Sequence, residues 1–324
     1  MISGGVAGGA SVAARLRRLD ESAEILLLER SEYVSYANCG LPYCNGGQIT
    51  QKSALSVQTP ESLRQRLALD VRTLHEAVAI HPEQKTVDIR DIRRGAIYTE
   101  SYDNLILSPG AEPIRPAFPG VEDGRVFSLR TIPDTYRIHD YIKHHAPRRA
   151  LVVGAGYIGL EMAENLARVG LEVTVAELAD HAVGPLDSDM AADVHQYLKL
   201  KSVQLLLENG VQAIEPSTEK LQVILNRGSI DTDMVLLSIG VRPDNRLAKE
   251  AGMALGHRGT VVVDEQMRTS DPNIYAVGDV VQIARWGTGE PGYIPLAGPG
   301  NKQGRIAADN IAGCARSYKG NQGA

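Results

Sequence analysis

A glycine-rich turn at residues 4–9, a second at residues 154–159 and a late strand running into Gly278-Asp279 predict an α/β fold: two Rossmann-like nucleotide-binding domains, the second inserted in the first. The first turn, Gly4-Gly5-Val6-Ala7-Gly8-Gly9, leads into Ala10-Ser11-Val12-Ala13-Ala14-Arg15-Leu16, rich in helix formers. Glycines let the backbone approach a pyrophosphate, and a helix N-terminus supplies unpaired N–H groups and a positive dipole to hold it. Laying the G-x-G-x-x-G spacing on Ser3, Gly5 and Gly8 puts serine in the first glycine slot. The next strand, Ile25-Leu26-Leu27-Leu28, ends on Glu29, placed to accept from ribose hydroxyls. Only Met1, Ile2 and Ser3 remain for the opening strand, against the usual length of about 5–6 residues, so the native start is expected a few residues upstream.

Strand-like segments follow at Lys85-Thr86-Val87-Asp88-Ile89 and Asn104-Leu105-Ile106-Leu107, the latter running through Ser108-Pro109-Gly110 to Ala111. The second unit is more complete. Ala150-Leu151-Val152-Val153 reads as a buried strand, Gly154, Gly156 and Gly159 follow at G-x-G-x-x-G spacing, and a helix runs from Leu160 to Val169 and stops at Gly170. Val173-Thr174-Val175-Ala176 then ends on Glu177. With no arginine within several residues, Glu177 can accept from a ribose 2′-hydroxyl and would repel a 2′-phosphate, which favours NADH over NADPH. Val235 to Asp244 reads as the return to the outer domain. The expected division is residues 1–112 and 243–324 for the outer domain and 113–242 for the insert.

Composition narrows the function classes. At 324 residues the chain can bury two cores, and 43% hydrophobic with 23% charged residues is a globular balance. The 34 basic and 39 acidic residues give a net charge of −5 with no basic run, which argues against a nucleic-acid partner. No apolar stretch approaches the ~20 residues of a membrane span, and no signal pattern opens the chain, so it reads as cytoplasmic with no membrane partner. Cys39, Cys44 and Cys314 suit a reducing compartment and make no disulfide framework, and the eight histidines show no metal spacing, so no metal is expected.

Cys39 stands on a turn about ten residues after the strand that ends at Glu29. A thiol there is either a stabilised, reachable thiolate or an inert small hydrophobe. The surrounding residues, Ser35-Tyr36-Ala37-Asn38-Cys39-Gly40-Leu41-Pro42-Tyr43, resemble the S-[FY]-A-N-C-[GA]-L-P-Y segment of the single-cysteine flavoprotein disulfide reductases, which are FAD-dependent pyridine nucleotide-disulfide oxidoreductases. By motif order the resemblance covers nearly the whole chain and is nearest to the coenzyme A-disulfide and persulfide reductases. It implies a glutathione reductase-like FAD/NAD(P)-binding fold, with FAD in the outer domain and NAD(P)H, NADH preferred, in the insert.

Several residue roles follow from the resemblance alone. Cys39 becomes the redox-active residue. Asp279, in Thr269-Ser270-Asp271-Pro272-Asn273-Ile274-Tyr275-Ala276-Val277-Gly278-Asp279, is placed on the ribityl chain of FAD, with Gly5, Gly8, Glu29 and Ala111 as further FAD positions. Leu296 to Arg305 resembles the helix start near the flavin ring, and Tyr157 the tyrosine that covers the flavin until nicotinamide displaces it; a packing aromatic is the alternative. Ser11, Arg15 and Arg18 match positions that touch coenzyme A, and Ser35 and Asn38 flank the thiol. Arg15 and Arg18, three apart, share a helix face that either grips a phosphorylated thiol or is simply solvated.

The implied substrate is a small-molecule disulfide or persulfide of coenzyme A; a NADH oxidase or peroxidase with a Cys39 sulfenate, and a non-catalytic nucleotide-binding remnant, are the rival readings. Cys44 reads as structural, because Pro42 is expected to bend the loop away from the helical geometry of a C-x-x-x-x-C dithiol pair; Cys314 reads as a bystander. Leu67 departs from the family, which carries a basic residue there. Relatives also continue beyond Ala324 through a dimerisation domain, so a homodimer is implied for the full-length form and put in doubt for this fragment.

Overall fold

The computed structural model describes residues 1–322 in two compact units. One holds residues 1–36, 56–112 and the chain from 242 onward; the other holds 37–55 and 113–241.

In the first unit five strands lie parallel in the order Ile274–Ala276, Leu105–Leu107, Ile2–Ser3, Leu26–Glu29, Asp70–Thr73. Ile2–Ser3 is only two residues long yet central, with Ile2 opposite both Leu27 and Ile106 and fully buried. Helices cover such a sheet on both faces, so its strands read as unbroken apolar runs rather than alternating ones. A three-stranded antiparallel meander, His75–His81, Thr86–Asp91 and Ile97–Ser101, sits in the chain between the Asp70–Thr73 and Leu105–Leu107 strands. The first helix, Ala7–Leu19, buries Val12, Ala13 and Leu16 and packs along the last, Ala297–Ile311. A Cβ at Gly304 would lie 2.6 Å from the Gly8 carbonyl oxygen, so glycine is what permits the two helices to approach so closely.

The second unit repeats the plan. Its parallel sheet runs Gln204–Leu206, Glu172–Ala176, Arg149–Val153, Met234–Leu237, Val126–Ser128, and a meander of Val211–Pro216, Leu221–Leu225 and Ser229–Thr232 again precedes the strand that returns beside the central one. Helix Ile132–His145 starts on a capping box in which Thr131 Oγ1 accepts from Asp134 N–H and the Asp134 carboxylate accepts from Thr131 N–H.

Two expectations need correction. Residues 37–55 were assigned by the sequence boundaries to the outer domain, but they pack with the second unit. Asn45 Nδ2 lies 4.0 Å from Met162 Sδ, Gln48 Nε2 donates to Asn165 Oδ1 at 3.5 Å, and a Cβ at Gly46 would meet that same oxygen at 1.9 Å. Pro42, in turn, does not bend the chain out of a helix. Asn38–Gly40 forms a 3₁₀ turn that continues into helix Leu41–Asn45, where Pro42 occupies the first turn and its missing N–H costs nothing.

Candidate dinucleotide and thiol sites

Both glycine turns are built the same way, each position 150 residues from its counterpart. Gly4 and Gly154 take φ of +100° and +101°, a left-handed backbone that glycine adopts without penalty. Gly4 N–H donates to Leu28 O and Gly154 N–H to Ala176 O. A Cβ at Gly9 would stand 1.8 Å from Gly4 O, and one at Gly159 would stand 2.0 Å from Gly154 O, so each turn closes against a residue that must lack a side chain. The helices begin at Ala7 and Tyr157.

This equivalence corrects the reading of Ser3, Gly5 and Gly8 as the fingerprint. The first slot is Gly4 and the third is Gly9; the departure lies in the second slot, where Val6 stands opposite Gly156. Gly5 matches Ala155, and Gly8 is needed for another reason, since its Cβ would come within 2.9 Å of Ser108 Oγ and Val277 Cγ2.

The terminal acids are also matched. Glu29 Oε2 accepts from Gly5 N–H at 2.9 Å and Oε1 from Ser31 N–H at 2.9 Å; Glu177 Oε2 accepts from Ala155 N–H at 2.6 Å and Oε1 from Ala179 N–H at 2.9 Å. Each carboxylate therefore ties the glycine turn to its own strand end, and each oxygen keeps a lone pair for a ribose hydroxyl. The N–H groups of Val6, Ala7 and Gly8, and of Gly156, Tyr157 and Ile158, donate to nothing among the described residues. Three orphan donors at the positive end of a helix, beside a carboxylate, are the donor set a dinucleotide's pyrophosphate and ribose require. The residues present fit FAD in the first unit and NADH in the second.

The third signature is placed to serve the first turn's unit. Ile274–Ala276 pairs with Leu105–Leu107 and carries the chain to Gly278, whose φ is +83° and whose N–H donates to Gln303 Oε1 at 2.7 Å. Asp279 follows, half-buried. Gln303 is a residue the sequence reading passed over within the stretch Leu296 to Arg305. Ala111 is buried at the start of strand Ala111–Pro113. Tyr157, at the first turn of its helix, is 66% exposed, so it is not a core packing aromatic.

Cys39 is exposed in the middle of the Asn38–Gly40 turn, while Cys44 is only 7% exposed. Asn38 is half-buried, and its side chain makes no hydrogen bond among the described residues. Tyr43, also unsingled by the sequence, has its phenol pushed up, first by the Glu161 carboxylate, then by burial, with Glu164 and Cys39 adding to it. Burial and Glu164 in turn hold the Glu161 carboxyl above the usual range. Ser35, in the first unit, takes φ of +43°; its N–H donates to Gly5 O and its carbonyl accepts from Val57 and Gln58 N–H. A non-glycine residue in that conformation costs roughly 1–2 kcal/mol, offset here by hydrogen bonds that tie the glycine turn to the returning chain.

The first-helix residues separate. Ser11 Oγ donates to Asn301 Oδ1 at 2.9 Å, and Arg15 Nε donates to Asp309 Oδ1 at 2.7 Å, so both engage the last helix. Arg18 is exposed and makes no hydrogen bond or ion pair among the described residues. No group of three or more His, Cys, Asp or Glu placed to hold a metal occurs among the described residues, and no helix there is long and apolar enough to cross a membrane.

A family model described as pyridine nucleotide-disulphide oxidoreductase matches residues 1–304. Coenzyme A disulfide reductase of Staphylococcus aureus (strain JH9) is 33% identical over 314 residues, which make up 97% of this chain and 70% of that protein. The crystal structure of reduced Bacillus anthracis CoADR-RHD superposes with a TM-score of 0.97 at 51% identity, covering 99% of this chain and 58% of the other. The NAD-dependent persulfide reductase from A. fulgidus does so with a TM-score of 0.95 at 34% identity, covering 98% and 60%. The chain thus spans less than two thirds of the length of these two solved structures.

Proposed function

Because the chain belongs to the pyridine nucleotide-disulphide oxidoreductase family, we propose that it passes electrons from NADH through FAD to Cys39, which reduces a coenzyme A disulfide or persulfide in the cytoplasm. The observation that carries this reading is the contrast between the two neighbouring thiols: Cys39 faces solvent and Cys44 is buried. A dithiol exchange needs both sulfurs reachable. With one, the partner sulfur must come from the substrate.

The step balances on that basis. The Cys39 thiolate attacks one sulfur of the substrate disulfide, the S–S bond breaks, and the first thiol leaves as thiolate and takes a proton from solvent. Bound FAD supplies the relay of two electrons from NADH that breaks the resulting mixed disulfide and frees the second thiol. One disulfide, one NADH and one proton give two thiols and NAD⁺. Gly4, Gly9, Glu29 and Asp279 hold FAD in this reading; Gly154, Gly156, Gly159 and Glu177 hold NADH, with Tyr157 at the mouth of that turn. Ser35 and Asn38 flank Cys39 in the chain, and Ser11, Arg15 and Arg18 are substrate contacts by the resemblance alone.

The test is turnover of coenzyme A disulfide with NADH by the parent and by Cys39→Ser. Loss of turnover with retained flavin reduction supports the reading; equal turnover refutes it.

A further inference from the structure

Asn165 lies in the last turn of helix Tyr157–Arg168 of the second unit and is fully buried. Asparagine forms helix poorly, and an apolar side chain would pack there with no polar group to satisfy. Its amide is committed in two directions: Nδ2 donates back to Glu161 O at 2.7 Å, and Oδ1 accepts from Gln48 Nε2 at 3.5 Å. Asn45, in the segment that carries Cys39, is 3% exposed; its Nδ2 lies 4.0 Å from Met162 Sδ, and its Oδ1 has no hydrogen-bond partner among the described residues.

Two adjacent residues of that segment are glycine for opposite reasons. Gly47 takes φ of +73°, a left-handed backbone, and a Cβ there would meet open space. Gly46 takes φ of −78° and ψ of 1°, which any residue adopts, yet a Cβ there would stand 1.9 Å from Asn165 Oδ1 and 2.7 Å from its Cγ. The Asn165 side chain, and not the backbone, is what requires glycine at 46. Gly46 also closes the helical piece that begins at the thiol. Asn38–Gly40 runs into Leu41–Asn45, Gly46 N–H donates to Pro42 O at 3.0 Å, and the Tyr43 carbonyl accepts from Gln48 and Ile49 N–H at 3.0 and 3.1 Å. Toward its N-terminus the helix of Asn165 leads back to the glycine turn, with Tyr157, Glu161 and Asn165 on successive turns of one row.

We propose that Asn165 is a positioning residue for Cys39: its amide, seated against Gly46 and Gln48, anchors the thiol-bearing segment to the helix whose first turn carries the unpaired N–H groups of the second dinucleotide site; this rests on the disulfide-reductase reading above. Burial alone would be served as well by leucine. The amide adds registration, because the Nδ2 bond to the Glu161 carbonyl decides which of its ends faces Gly46, and a neighbour without a side chain leaves it a single seat. Cys39 is thus carried at one end of a short helical piece whose other end is fixed. Attack on a disulfide sulfur and the later release of the mixed disulfide both depend on that setting, and a misplacement of about 1 Å in such a geometry lowers a rate by about a hundredfold.

The test is a pair of substitutions, Gly46→Ala and Asn165→Ala, made singly and together in the protein with FAD, with Gly47→Ala in both backgrounds as the control for backbone strain. Asn165→Ala is expected to slow reoxidation of the flavin by coenzyme A disulfide at least about tenfold more than its reduction by NADH, and to speed amide hydrogen exchange across residues 38–49 at least about tenfold while strand Arg149–Val153 keeps its protection. Gly46→Ala alone slows reoxidation likewise. Added to Asn165→Ala it slows it no more than about twofold further, because the oxygen its Cβ would strike is gone, whereas Gly47→Ala has the same effect in both backgrounds. Equal losses in the two half-reactions mark a merely structural role and overturn the proposal, as does a Gly46→Ala effect of the same size in both backgrounds. Should Gly46→Ala not fold, Asn165→Ala, which only removes atoms, decides through the half-reactions. Exchange released by Asn165→Ala in a protein that reduces no coenzyme A disulfide leaves the anchor standing and removes the reaction. Released exchange with reoxidation as fast as in the parent removes the positioning role and leaves the reaction.

Discussion

Glu177 spends both carboxylate oxygens on backbone N–H groups, of Ala155 and Ala179, and so orders the turn it reads the cofactor with. A 2′-phosphate set beside it would meet a fixed negative charge, a repulsion on the order of 1–4 kcal/mol at 4 Å. The parent is therefore expected to use NADH far better than NADPH, and Glu177→Ala to narrow the kcat/KM ratio by at least about tenfold, at about 1–3 kcal/mol of stability for the two orphaned N–H groups. Equal kcat/KM for the two coenzymes in the parent contradicts the assignment. At the neighbouring thiols the outcomes divide by burial. Cys39→Ser is expected to keep NADH-dependent flavin reduction and end disulfide turnover. Cys44→Ser is expected to keep turnover within about twofold while lowering stability by about 1–3 kcal/mol, because it replaces a buried thiol with a more strongly hydrated hydroxyl. If both variants are equally dead in turnover assays, the pair acts together and the single-cysteine mechanism fails.

The two glycine turns are the elements most open to a direct test. Gly9→Ala puts a Cβ 1.8 Å from Gly4 O and is expected to abolish flavin retention. At Gly5 the nearest atom to a Cβ is Val34 Cγ1 at 3.0 Å, the backbone is not left-handed, and the matching residue of the second turn is already Ala155, so Gly5→Ala is expected to keep flavin at a cost on the order of 1 kcal/mol. The flavin absorbance of the two purified variants decides between this register and the one based on Ser3, Gly5 and Gly8. The second turn was fully legible in the sequence because its glycines stand alone. In the first, two adjacent pairs, Gly4-Gly5 and Gly8-Gly9, leave the register ambiguous by one, and the feature that resolves it, which glycine needs positive φ or lacks room for a Cβ, exists only in three dimensions.

The loop after Glu177 is an element with its own pH signature. His181 Nδ1 lies 2.6 Å from Asp180 Oδ1, and its Nε2 lies 3.0 Å from Leu186 O; the Asp180 contact holds the imidazole above its ordinary pKa. The imidazolium's contribution to stability is complete below the unfolded value of about 6.5 and is lost as pH rises through the raised folded value. His181→Ala is expected to flatten the fall in Tm across that window, and an unchanged pH profile would show that the contact carries no stability.

At the scale of the whole molecule, the repeated plan follows from one local rule. A strand, a glycine turn, a helix and a strand ending in an acid appear twice, each followed by a meander and a returning strand. The sequence carried the strand, glycine turn, helix and acid-ended strand of each unit; the second unit's meander and the central place of the short strand Ile2–Ser3 emerge only in the structure. It did not carry the home of residues 37–55, because the contacts that place them, such as Asn45 to Met162 and Gln48 to Asn165, join positions 117 residues apart through single side chains with no periodic pattern. For the same reason the pairing of Ser11 and Arg15 with Asn301 and Asp309 was invisible, although Lys302 and Arg305 at i, i+3 spacing were a readable sign of a basic helix face. The central claim, that two dinucleotide sites deliver electrons to the single thiol of Cys39, is tested most directly by anaerobic absorption spectroscopy. NADH is added to the purified protein with FAD, followed by coenzyme A disulfide, in parent and Cys39→Ser. NADH is expected to bleach the flavin band in both, and the disulfide to restore it only in the parent; no flavin band, or recovery in Cys39→Ser as fast as in the parent, would contradict that claim.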